Sequence, residues 1–264
     1  MKTNQLRDIQ SEPDHRKLPI DKVGVKDIKY PVVVLDKDEG SQHTVAKVNM
    51  YVNLPHQFRG THMSRFVEIL NRYRNGISTK NIREILEEMR TQLDSETAHF
   101  EIEFPYFITK SAPVSGEKAK MEYTCRLIAN SDVDYYMIEV KVPVLSLCPC
   151  SKEISAFGAH NQRSIITMQI EAKEKIWIED IIAIAESSAS SEIYSILKRE
   201  DEKYITEKSY ENPVFVEDIV RIAAEKLIQT KGVLWFSVES ENMESIHNHS
   251  AYAQICMSLK ENKE

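Results

Sequence analysis

Glycine and proline are scarce, with seven and nine in 264 residues, too few for a collagen-like or low-complexity chain. No apolar run approaches the roughly 20 residues that span a bilayer, so no membrane partner is expected. Residues 1–17 are polar and lack the apolar stretch of an export signal. Their charge and Pro13 point instead to a flexible tail, taken as 1–25. Cysteine is limited to Cys125, Cys148, Cys150 and Cys256. Without an export signal a reducing, cytoplasmic setting is expected, and a disulfide framework is not. The thiols then belong to the core or to chemistry. Basic residues do not dominate either. Lys and Arg number 34 against 41 Asp and Glu, a formal net charge of −7. That excludes a general nucleic-acid coat and leaves room for a local basic pocket facing a phosphorylated small molecule.

What is present is the mix of a globular protein, 42% apolar and 28% charged. Residues 30–36 (YPVVVLD) read as a short strand. Ala46, Val48, Met50, Val52 and Leu54 alternate with polar neighbours, the period of a half-buried strand. Phe66, Ile69, Leu70 and Tyr73 recur at helical spacing, with Gly76 as a stop. Ser78 or Thr79 is the expected cap of a second helix with the apolar face Ile82, Ile85, Leu86, Met89 and Leu93. Strand patterns return near 100–104, 121–127 and 136–144.

The second half repeats this order. Ile166, Met168 and Ile170 alternate, and Ile178, Ile181, Ile182 and Ala185 are helical. Asn212-Pro213 reads as a cap with proline in first helical position. The helix after it buries Val216, Ile219, Val220, Ala223 and Leu227, at the same intervals as Ile82 to Leu93. Strand alternation follows at 234–238 and 251–259. The pattern is that of two α+β units, 26–145 and 146–264, with a linker around 141–151 and antiparallel sheets whose free edges invite pairing between subunits.

The densest reactive cluster is Leu147-Cys148-Pro149-Cys150-Ser151-Lys152-Glu153, followed by Gly158-Ala159-His160-Asn161-Gln162-Arg163. Thiolate and imidazole suit zinc and similar ions, and Glu153 is an acid/base candidate. The alternative is a pair of buried apolar cysteines at a strand end. A second cluster holds Glu244, His247 and His249. If extended, it turns both rings to one side, to share a metal or relay a proton; solvated loop histidines are the alternative. The run from Lys198 to Lys203 reads as a solvated face. Glu217 lies beside an apolar helical stripe. It is either on the rim, which the pattern favours, or turned inward, where it would accept N–H groups of a planar heterocycle. Arg59 and Arg65 flank a helix start, which suits a phosphate or an ordinary polar cap. Cys125 and Cys256 are read as core.

These motifs, with Asp201-Glu202-Lys203 and Tyr210-Glu211-Asn212-Pro213-Val214-Phe215-Val216-Glu217-Asp218, resemble the prokaryotic type IB GTP cyclohydrolases, in order and without departure. The resemblance implies a tunnelling fold of two tandem β-β-α-α-β-β units, assembled into a barrel-like homotetramer with active sites between subunits. It implies GTP as substrate, opening of its imidazole ring, loss of C8 as formate and closure to 7,8-dihydroneopterin triphosphate, at the start of folate synthesis. It also implies a divalent metal (zinc, manganese or iron) on Cys148, His160 and Glu202. His247 becomes the proton carrier, His249 either a ligand or a second proton carrier, and Glu217 the purine anchor. Glu244, Glu153 and Cys150 are nearby groups, and Arg59, Arg65, Lys152 and Arg163 are triphosphate candidates. Two other readings compete: a nitrile reductase of the same fold using a nucleophilic Cys and NADPH, and a non-catalytic metal- and purine-binding module.

Overall fold

A computed structural model describes residues 9–10, 12–78 and 81–260. The elements follow in the order β1 (Ile20–Asp36), β2 (Gly40–Leu54), α1 (Met63–Tyr73), α2 (Ile82–Leu93), β3 (Ala98–Ser111), β4 (Lys118–Asn130), β5 (Tyr136–Leu147), α3 (Pro149–Ile154), β6 (Asn161–Ala172), α4 (Ile178–Glu186), β7 (Ser191–Glu192), α5 (Arg199–Glu211), α6 (Val216–Ile228), β8 (Val233–Asn242) and β9 (Ala251–Ser258). Strand neighbours run β1-β2-β3-β4-β5-β6-β8-β9, and β7 pairs with β5. The pairs β1–β2, β2–β3, β6–β8 and β8–β9 are antiparallel. No helix among the described residues is long and apolar enough to cross a membrane.

The chain condenses into two compact units, Met1–Phe104 with Leu127–Tyr136 and Pro105–Arg126 with Met137–Glu264. In the first, the alternation of β2 buries Ala46, Val48, Met50, Val52 and Leu54; α2 packs on β2 and α1 on α2 and β1, with Phe66, Ile69 and Met89 buried, and Phe100 of β3 pairs with Met50. In the second, α6 packs on β8 and β9 through Val216, Ile219, Val220, Ala223 and Leu227. Ile166, Met168 and Ile170 of β6 and Phe236 and Val238 of β8 complete that layer.

Several local expectations are corrected. β1 starts at Ile20, well before Tyr30 and inside the stretch read as tail, and Pro13 bridges to Phe58. Register shifts between Ile20 and Val23 and between Val25 and Ile28 break the period that would have revealed the strand. Gly24 is required there, because a Cβ would lie 2.0 Å from the Met50 carbonyl oxygen. Residues 141–151 are no linker but the end of β5 and the start of α3. The flanking residue of α2 is Asn81, not Ser78, whose backbone N–H donates to Asn81 Oδ1; Thr79 lies outside the described residues. Asn212 ends α5 instead of starting α6, and its Nδ2 donates to the Ala189 and Ser190 carbonyls. Cys256 is exposed on β9, on the face of Tyr252 and Gln254, and donates to Ser237 Oγ. Cys125 is core, and burial pushes its thiol pKa up.

Candidate active site

Three neighbouring strands of the second unit change character at one end. The inward stripe of β5 runs Val140, Val142, Val144 and then Ser146. That of β6, read backwards, runs Ile170, Met168, Ile166 and then Ser164 and Gln162. That of β8 runs Phe236, Val238 and then Ser240 and Asn242. All five polar residues are buried. Antiparallel pairing sets Ser164 opposite Asn242 and Ile166 opposite Ser240. They bond to one another: Gln162 Nε2 donates to Ser146 Oγ (2.9 Å), Ser164 Oγ to Ser146 Oγ (3.0 Å) and Ser240 Oγ to Asn242 Oδ1 (3.2 Å). The polar end thus carries its own hydrogen-bond partners, as burial requires.

Cys148 leaves β5 at this end and caps α3, with Pro149 in first helical position. Its Sγ accepts from the Ser151 N–H at 3.4 Å, which fixes the side chain. Six residues are too short to show a helical period, so α3 had no signature beyond that proline. Gly158 (φ +70°) turns the chain back, and the His160 carbonyl accepts from the Cys148 N–H at 3.1 Å. Ser151 Oγ accepts from the His160 N–H. The His160 ring faces Gln162 Oε1 at 3.0 Å and Glu244 Oε2 at 3.7 Å, both from Nδ1. The residues after β8 form a bent turn and not an extended segment, yet His247 and His249 stack at 5.1 Å between centroids, and His247 lies edge-on to His160 at 6.4 Å.

A cavity of about 210 Å³ opens here, lined by Cys148, Gln162, Phe215, Glu217, Asn242 and Glu244 among others. Glu217 is exposed on the rim of α6, as the helical pattern favoured, and it faces this cavity. The α6 end is tied to the Cys148 strand, since the Val214 N–H donates to the Leu147 carbonyl. Lys152 reaches from α3 to the end of α5, its Nζ 2.5 Å from the Tyr210 carbonyl and 4.4 Å from the Tyr210 ring centroid. Cys150, Glu153 and Arg163 are exposed on the same segment.

Glu202 is exposed near the start of α5. Its neighbour Asp201 is buried and accepts from the N–H groups of Val114, Ser115 and Lys198 and from Ser115 Oγ. Burial opposes that charge, but the Ser115 hydroxyl and these backbone bonds outweigh it and hold the carboxyl well below the usual carboxylate range. Among the described residues no three His, Cys, Asp or Glu side chains converge on one metal-sized point. Arg59 and Arg65 belong to the first unit. Arg59 pairs with Glu12 at 3.5 Å, and Arg65 donates to the Gln92 carbonyl at 2.7 Å.

A family model described as type I GTP cyclohydrolase folE2 matches residues 6–253. The chain belongs to that family. The GTP cyclohydrolase FolE2 of Pelobacter propionicus is 59% identical over 251 residues, covering 95% of this chain and 98% of the relative. That of Geotalea uraniireducens is 58% identical over 251 residues, covering 95% and 93%. The chain is therefore a GTP cyclohydrolase with GTP as substrate, and the nitrile-reductase and non-catalytic readings are set aside. Among solved structures, the urate oxidase of Bacillus subtilis 168 matches with a TM-score of 0.51 at 9% identity, over 90% of this chain and 98% of that one. The uricase of Arthrobacter globiformis matches at 0.50 and 7% identity, over 92% and 94%. These likenesses concern the fold alone. Sequence reasoning missed Ser146, Ser164, Ser240 and Asn242, and it quoted Gln162 beside His160 without a role. Extending the inward stripes of β5, β6 and β8 past their last apolar residue would have found them.

Proposed function

We propose that this cyclohydrolase is of type IB and works as a cytoplasmic homotetramer of the tunnelling fold, with active sites between subunits. The order β1-β2-α1-α2-β3-β4, followed by β5, β6, helices, β8 and β9, supports two β-β-α-α-β-β units that divide before β5 and not at the expected 145/146. The sheet order leaves β1 and β9 as edges, and unpaired edges favour strand addition from a second copy. Ile154, Phe157 and Ile246 are 85%, 94% and 67% exposed around the site, which favours a covering partner. The cavity is below the roughly 300–1,000 Å³ of a complete small-molecule site, so a nucleoside triphosphate needs further walls.

The observation that carries the reading is one cavity that gathers Cys148, Glu217 and Glu244 beside His160. The reaction is hydrolytic opening of the GTP imidazole ring, release of C8 as formate and closure to 7,8-dihydroneopterin triphosphate, at the start of tetrahydrofolate synthesis. Cys148 and His160 are adjacent sulfur and nitrogen donors fit for a divalent ion such as zinc, manganese or iron. Glu202 completes the set from a second copy. Within one chain it is eight helical residues from Tyr210, or about 12 Å of axis at 1.5 Å each, and it is the Tyr210 end of α5 that Lys152 ties to the site. The ion, when bound, supplies Lewis-acid activation of water. His247 and His249 carry protons at the turn, and Glu217 accepts from the purine ring N–H groups. Glu244, Glu153 and Cys150 stand by for acid/base work, and Arg59, Arg65, Lys152 and Arg163 offer charge to the triphosphate. Complementation tests this. Cys148→Ala and Glu202→Ala should each be inactive alone and regain formate release when co-expressed in mixed oligomers. Inactive mixtures would overturn the shared site.

A further inference from the structure

His160 is held from behind by a chain of neutral groups. Its Nδ1 is 3.0 Å from Gln162 Oε1. The Gln162 amide turns its Nε2 to Ser146 Oγ at 2.9 Å, and Ser146 also accepts from Ser164 Oγ at 3.0 Å. Gln162 is 6% exposed and both serines are 0%. An amide with its N–H₂ on a serine offers only its oxygen to the ring, and an oxygen bonds only to an N–H. The reverse orientation would put a bare Nδ1 lone pair 3.7 Å from the Glu244 carboxylate, which also accepts and does not donate when ionised. Both neighbours therefore ask for the proton on the same nitrogen.

We infer that Gln162 is a positioning residue for the cyclohydrolase reaction: backed by Ser146, it locks neutral His160 as the Nδ1–H tautomer and keeps the Nε2 lone pair free for the site. The inference rests on the reading of His160 as a functional ligand, but its test does not. Histidine-selective ¹⁵N NMR on the metal-free full chain reads which nitrogen bears the proton, and His160→Gln assigns the signal. Wild type should show Nδ1–H. Gln162→Met should shift His160 towards Nε2–H, whereas Gln162→Glu, which keeps an acceptor in place, should hold Nδ1–H. With metal restored, Gln162→Met should lower kcat by about 10–100-fold, the usual effect of removing such a support, with the KM for GTP little changed, and Gln162→Glu should recover part of it. If Gln162→Met does not fold, Ser146→Ala frees the amide to turn over and should give the same tautomer shift. Nε2–H in wild type, or Nδ1–H unmoved in Gln162→Met and Ser146→Ala, would overturn the inference. A failure of metal-dependent formate release would instead strike the functional reading, and the proton position would still decide this one.

Discussion

Cys148 joins two tasks in one side chain: its Sγ accepts the Ser151 N–H that opens α3, and it lines the cavity beside Glu217. Cys148→Ala should therefore lower turnover by about 100-fold or more while leaving circular dichroism unchanged, because losing such a cap costs only about 1 kcal/mol. Near-normal formate release with every metal tried would remove it from the site. Glu217→Ala should act differently. Loss of a charge-assisted hydrogen bond is worth about 1.5–3 kcal/mol, so the KM for GTP should rise by about 10–100-fold with metal content unchanged. Metal loss would contradict the anchor role. At this scale residue type pointed to one cluster but not to every member of the site, since Glu202 lies near the start of α5 and Arg59 and Arg65 belong to the first unit. Cys148, His160, Glu244 and the stacked histidines fall in one region. The sequence was not legible where burial gives an ordinary residue its meaning. Gln162 and Asp201 look like surface residues until the fold encloses them, and Cys256 looks apolar until β9 turns it outward.

Among the elements, α5 is anchored at its start by one buried carboxylate. Asp201 pins its start to the turn between β3 and β4 through Val114 and Ser115. The folded carboxyl titrates below its unfolded value of about 3.9, so its contribution is fully present above that value and is lost as pH falls through the folded pKa. Asp201→Asn should lower the thermal midpoint at neutral pH, and the difference from wild type should shrink between about pH 5 and about pH 2. A difference independent of pH would mean that the Asp201 charge does not hold the start of α5. The long alternating strands and the helices with clear apolar faces were readable because period alone specifies them. β1 and α3 were not, one because register shifts interrupt its period and the other because it is too short to have one.

For the whole molecule, the buried face of β8 packs between β6, β9 and α6 in the second unit. Phe236 is fully buried, and Phe236→Ala should cost about 3–5 kcal/mol, read as a fall in denaturant midpoint. The order of strands and helices was visible in the spacing of apolar residues, whereas the proposed assembly rests in the sequence on free edges alone. The proposed reaction opens the GTP ring at a metal-dependent site. The most direct measurement mixes metal-depleted protein with GTP, with and without Mn²⁺ or Zn²⁺, and follows formate together with pterin fluorescence after oxidation and dephosphorylation. Both products should appear only when metal is added. Both products without metal, or bound GTP that yields neither with any metal, would contradict the proposed reaction.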